Sequence, residues 1–86
     1  ALSYEPNNHY ILDSMGWIHF KLGNLEIASM FIKKAYAINK DPEIAAHLGE
    51  ILWAQGKKEE AREVWGNSLN RHPSNTVLLE TTNRFR

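Results

Sequence analysis

The 86-residue sequence predicts an all-α fold, a solenoid of stacked helix–turn–helix units, and three observations carry that prediction. The first is an internal repeat: Leu-Gly-Glu-Ile-Leu-Trp-Ala-Gln-Gly at 48–56 matches, position for position, Met-Gly-Trp-Ile-His-Phe-Lys-Leu-Gly at 15–23. The landmarks keep step, Gly16 with Gly49, Gly23 with Gly56, Ala28 with Ala61 and Ile32 with Trp65. The second is helical apolar spacing inside each unit. The third is a glycine at the same place in both units, where the stripe breaks and restarts.

Taken in order, residues 1–8 look like the end of a preceding unit's second helix and its loop, so the chain is expected to come from a longer array. The absence of an initiating Met points the same way. Unit one, 9–41, places Ile11, Met15, Ile18 and Leu22 at i, i+4, i+7 and i+11 of a first helix. After Gly23-Asn24, where Asn24 is a candidate N-cap, Ala28, Phe31, Ile32 and Ala35 give the second. Unit two, 42–75, opens with Asp41 as N-cap and Pro42 at the first helical position. Its stripes are Ile44, Leu48, Ile51 and Gln55, then Ala61, Val64, Trp65 and Ser68, with Glu59 and Glu60 placing negative charge at the second helix's N-terminus. Residues 76–86 read as one terminal helix, with Leu78, Leu79 and Phe85 inward and Thr81, Thr82, Asn83, Arg84 and Arg86 outward, the make-up of a solenoid cap. Gly16 and Gly49 sit within helices at a cost of about 1 kcal/mol against alanine. Close approach of the paired helix, with Ile32 and Trp65 filling the space, is the natural cause.

Composition narrows the function. Ten basic and ten acidic residues cancel, with four and five in 1–43 and six and five in 44–86, so no basic field for nucleic acid or an anionic membrane is present. Lys33-Lys34 and Lys57-Lys58 read as solvated faces. Zero cysteines exclude disulfides, thiolate zinc sites and thiol nucleophiles. No apolar run approaches the roughly 20 residues that span a bilayer, so no direct membrane insertion is expected. His47 and Glu50 share a helix face at i, i+3, but a metal site takes about three or four ligands and His9, His19 and His72 belong to other faces or units. Ser14 beside Asp13 has no histidine that one helix could align with it. Neither metal, cofactor nor catalytic residue is expected.

The pattern resembles the tetratricopeptide repeat, W-x2-L-G-x2-Y…A-x3-F…P, which runs over roughly 34 residues. Leu12, Met15, Gly16, His19, Ala28 and Ile32 match in unit one, and Ala45, Leu48, Gly49, Leu52, Ala61, Trp65 and Pro73 in unit two. Unit one is one residue short near Lys40-Asp41, and His19 and Leu52 stand where tyrosine is usual. The resemblance implies a right-handed superhelix with a concave binding groove and a non-catalytic role in protein–protein interaction. The stretch Leu-Asp-Ser-Met-Gly-Trp-Ile-His-Phe-Lys-Leu-Gly-Asn is similar to repeats of bacterial tetratricopeptide proteins, many attached to the cell envelope, which leans towards a bacterial, envelope-associated parent.

By the same resemblance the groove is lined by first-helix residues: Tyr10, Asp13, Ser14, Trp17, Phe20 and Lys21 from unit one, and Glu43, Ala46, His47, Glu50, Trp53 and Ala54 from unit two. This lining reads as aromatic and acidic. Trp17, Phe20 and Trp53 are of the type that dominates binding hot spots, and Asp13, Glu43 and Glu50 would favour a basic or neutral segment. The lysines, arginines and asparagines of a carboxylate-holding clamp are missing. The expected partner is a protein or peptide segment, bound through Trp17 and Trp53; the plainer account of the same rings is that they wedge adjacent first helices together. Two other readings stay open: a partner-binding arm of a larger enzyme, and weak homodimerisation through the apolar face of the first helix, covered only by the Leu2 and Tyr4 stub.

Overall fold

The computed structural model describes residues 8–85, and every described element is an α-helix or a connection between helices. The helices are α1 (His9–Lys21), α2 (Leu25–Ile38), α3 (Pro42–Ala54), α4 (Lys58–Arg71) and α5 (Thr76–Arg84). Each packs on its neighbours in the chain, and α5 also packs on α3, so α1, α3 and α5 form one layer and α2 and α4 the other. The reading of residues 1–8 as the end of a preceding unit lies, but for Asn8, outside the described residues.

The two interhelical turns are built alike. Gly23 and Gly56 have φ of 85° and 83°, a left-handed conformation that a side chain disfavours. In the first turn the Asn24 N–H donates to the His19 carbonyl at 2.9 Å and the Gly23 N–H to the Phe20 carbonyl at 3.1 Å; Lys57 and Gly56 repeat this with Leu52 and Trp53 at 2.9 and 3.0 Å. This doubly bonded C-terminal motif satisfies last-turn carbonyls and turns the chain back. Asp41 caps α3 as expected, its carboxylate accepting from the Glu43 N–H at 2.8 Å. Asn24 does not cap α2 with its side chain. It is committed to closing α1, and its side-chain amide meets the His19 ring at 3.3 Å instead. Asn8 and Asn75 cap α1 and α5.

Packing explains the helical glycines. A Cβ on Gly16 would collide with Ile32, and one on Gly49 with the indole of Trp65. The Trp65 Nε1–H, on entering α3, donates to the Ala46 carbonyl at 3.3 Å. The core runs from Leu12 through Ile32, Ile44, Leu48, Ile51, Leu52 and Trp65 to Leu78.

Two apolar assignments come out differently. Ile44, Leu48 and Ile51 are buried, but their counterparts Ile11, Met15 and Ile18, with Leu22, are exposed, because among the described residues α3 lies between two second helices and α1 against one. What α1 buries is Leu12 and Gly16. In α5 the inner stripe is Leu78 and Thr81, with Phe85 half-buried behind them, while Leu79 is 41% exposed. Leu79 lies off that i, i+3, i+7 line. Helix α5 stacks as a further first helix, Leu78 taking the place that Ile44 holds one unit earlier in α3.

Candidate protein-binding face

The layer of first helices brings together the two ends of a hydrogen bond that the linear sequence separates by about one unit. His47 Nδ1 on α3 lies 2.8 Å from Asp13 Oδ1 on α1, both partly exposed. Trp17, one turn further along α1, stacks on the His47 ring at 4.2 Å and 25°. Phe20 tilts against Trp17 at 4.9 Å and is half-buried on the core. Lys21 Nζ sits over the Trp17 ring at 5.0 Å. Asp13, Trp17, Phe20, Lys21 and His47 therefore form one cluster across α1 and α3.

A second cluster forms one unit further on. Glu50, its side chain only 12% exposed, accepts from the Arg84 guanidinium on α5 at 3.0 Å. Trp53 lies against Trp65 at 5.8 Å and Phe85 at 5.5 Å. Lys58 and Arg62 approach its ring to 5.1 and 5.3 Å. The half-buried Trp53 is thus both a wedge between helices and an open ring with cations beside it.

The remaining expected residues stand apart. Tyr10 is 69% exposed, and its one aromatic neighbour among the described residues is His9, at 4.1 Å. Ser14, Glu43 and Ala54 are exposed without side-chain partners among the described residues, and Ala46 is buried under Trp65, so it is closed to a ligand.

The expected acidic character is much reduced. Of Asp13, Glu43 and Glu50, the first is paired with His47 and the third with Arg84. Lys21, Lys58 and Arg62 beside the tryptophans have no carboxylate within 4 Å among the described residues. The expected groove omits Arg84, Lys58 and Arg62, because it is drawn from the first helices of the two units, whereas Lys58 and Arg62 belong to α4 and Arg84 to α5. A signal was present: Asp13 with His47, and Glu50 with Arg84, are each a carboxylate with a side chain that can donate to it, 34 residues further on in the chain.

Among the described residues no group of three or more His, Asp or Glu side chains is placed to hold a metal ion. No described helix is long and apolar enough to cross a membrane.

Comparison with known proteins agrees with the repeat. Residues 10–42 match the tetratricopeptide repeat family. A TPR repeat-containing protein of Pseudomonas aeruginosa is 44% identical over 50 residues, 58% of this chain and 8% of that protein. Another, from Methanocaldococcus jannaschii, is 38% identical over 61 residues, 71% of this chain and 11% of its own length. The chain thus spans a small part of the relatives it matches. Two helix pairs in one repeating register, glycines seating Ile32 and Trp65, and these matches together place the chain in the tetratricopeptide repeat family.

Proposed function

We propose that the chain is a recognition segment that takes a peptide or protein partner along the face of α1, α3 and α5, with Trp17 and Trp53 as its anchors. Tetratricopeptide repeats in general are protein–protein interaction modules. The observation that supports this face is the bracing of Trp17: stacked on His47, flanked by Phe20 and overlain by Lys21, it offers aromatic area that needs little ordering on binding. Because Asp13 and Glu50 are paired within the fold, aromatic contact rather than acidic attraction selects the partner. Trp17→Ala is the cleaner test, since Trp53 also packs on Trp65 and Phe85. In the intact protein, loss of partner capture by Trp17→Ala with an unchanged helical circular dichroism signal is expected; capture at wild-type strength would refute the reading.

A second reading, self-association through the outer face of α1, is supported by the exposed strip Ile11, Met15, Ile18 and Leu22. Sedimentation of the 86-residue chain at millimolar concentration should then reveal dimers that Ile18→Glu removes.

A further inference from the structure

The two joints between a second helix and the following first helix are in register but are not filled alike. At the α2–α3 joint the six positions are Ser29, Ile32, Lys33, Tyr36, Leu48 and Ile51, of which Ile32, Leu48 and Ile51 are buried in the core. One unit later they become Arg62, Trp65, Gly66, Leu69, Thr82 and Phe85. Leucine has shrunk to threonine and lysine to glycine, and these six residues line a cavity of about 320 Å³ between α4 and α5. That volume is at the lower end of small-molecule sites.

Its chemistry is specific. Half-buried Phe85, with the 3%-exposed Trp65 stacked behind it at 5.7 Å and 26°, gives one aromatic wall, and Leu69 adds apolar surface. The Thr82 hydroxyl is already donated to the Leu79 carbonyl at 3.1 Å. No acidic residue lines the cavity, and the Arg62 guanidinium at its edge has no carboxylate within 4 Å among the described residues. An aromatic wall with one uncompensated guanidinium suits a flat apolar body that carries an anionic group, since arginine binds carboxylates through paired, charge-assisted hydrogen bonds. We propose that the α4–α5 cavity binds a small aromatic carboxylate, beside the Trp53 end of the proposed binding face and away from Trp17.

Gly66 makes the proposal testable without unfolding the protein. A Cβ there meets nothing within 4 Å, so Gly66→Leu adds a bulky side chain at the cavity's lining without a clash, while exchanging glycine for a better helix former. Phenylacetate titrated into the 86-residue chain should move the NMR signals of Gly66, Leu69, Thr82 and the Trp65 indole N–H. Phenylacetamide, which lacks the charge, should bind about tenfold more weakly, and Arg62→Gln should lose a similar factor for phenylacetate. Gly66→Leu should abolish binding and melt no lower than the wild type. The proposal is overturned if phenylacetate moves none of these signals, if the amide binds as well as the acid, or if a folded Gly66→Leu protein binds as the wild type does.

Discussion

At Gly49 a single methyl group would have to displace an indole. The Trp65 ring fills the space beside Gly49 and its N–H is tied to the Ala46 carbonyl, so it has little room to give. Overpacking of this kind costs about 1–3 kcal/mol, against which alanine's better helix propensity returns about 1. Gly49→Ala should therefore lower stability in chemical denaturation, and Gly16→Ala likewise, since the Ile32 Cγ1 that a Cβ would meet belongs to a fully buried, β-branched side chain. Ser68 offers the opposite case. Its hydroxyl is buried with no hydrogen-bond partner among the described residues, and the same position one unit earlier is Ala35. Ser68→Ala removes an unsatisfied group and should raise stability by up to about 1 kcal/mol, seen as a higher denaturant midpoint at constant slope.

At the scale of the helix, caps that look alike in sequence differ in strength. Asp41 accepts a backbone bond at the start of α3, whereas Asn24 accepts none at the start of α2. Asp41→Ala should cost about 1 kcal/mol. Asn24→Ala should cost clearly less in the same unfolding experiment; equal costs would mean that the capping bond contributes nothing. Helix α5, at 9 residues, is too short to persist alone in water, so its order comes from packing. Leu78 is fully buried. Leu78→Ala should cost about 2–4 kcal/mol, and amide exchange in α5 should accelerate more than in α1.

Across the whole molecule the first helices are linked by polar braces one unit apart, Asp13 to His47 and Glu50 to Arg84. In a solenoid, stability is a sum of unit and nearest-neighbour terms, and these pairs belong to the second kind. A double-mutant cycle on Glu50→Gln and Arg84→Gln should give a coupling of about 0.2–1 kcal/mol that shrinks in high salt, because Arg84 is 62% exposed on its side chain. The braces also change what the face offers a partner. Two carboxylates that looked available in the linear sequence are internally paired, and cations stand beside both Trp17 and Trp53, the proposed anchors.

Much of this was legible beforehand. Gly23 and Gly56 mark the turns because only a residue without a side chain takes a left-handed φ cheaply, and Gly16 and Gly49 mark close helix contacts because no other residue leaves room for Ile32 and Trp65. Such signals are local or recur at a fixed period, so the sequence by itself determined the helices, their pairing and the register between units. Charge availability was another matter. Whether Asp13 and Glu50 face a ligand or a neighbour depends on which side chains a helix one unit away brings within hydrogen-bonding reach, and composition sums over that distinction. The exposure of Ile11, Met15 and Ile18 beside buried Ile44, Leu48 and Ile51 has the same origin: identical stripes, different numbers of flanking helices among the described residues. Which groups of the proposed binding face are free, and which are spent holding the helices together, came only from the fold, because desolvation and pairing are properties of a neighbourhood and not of a residue type.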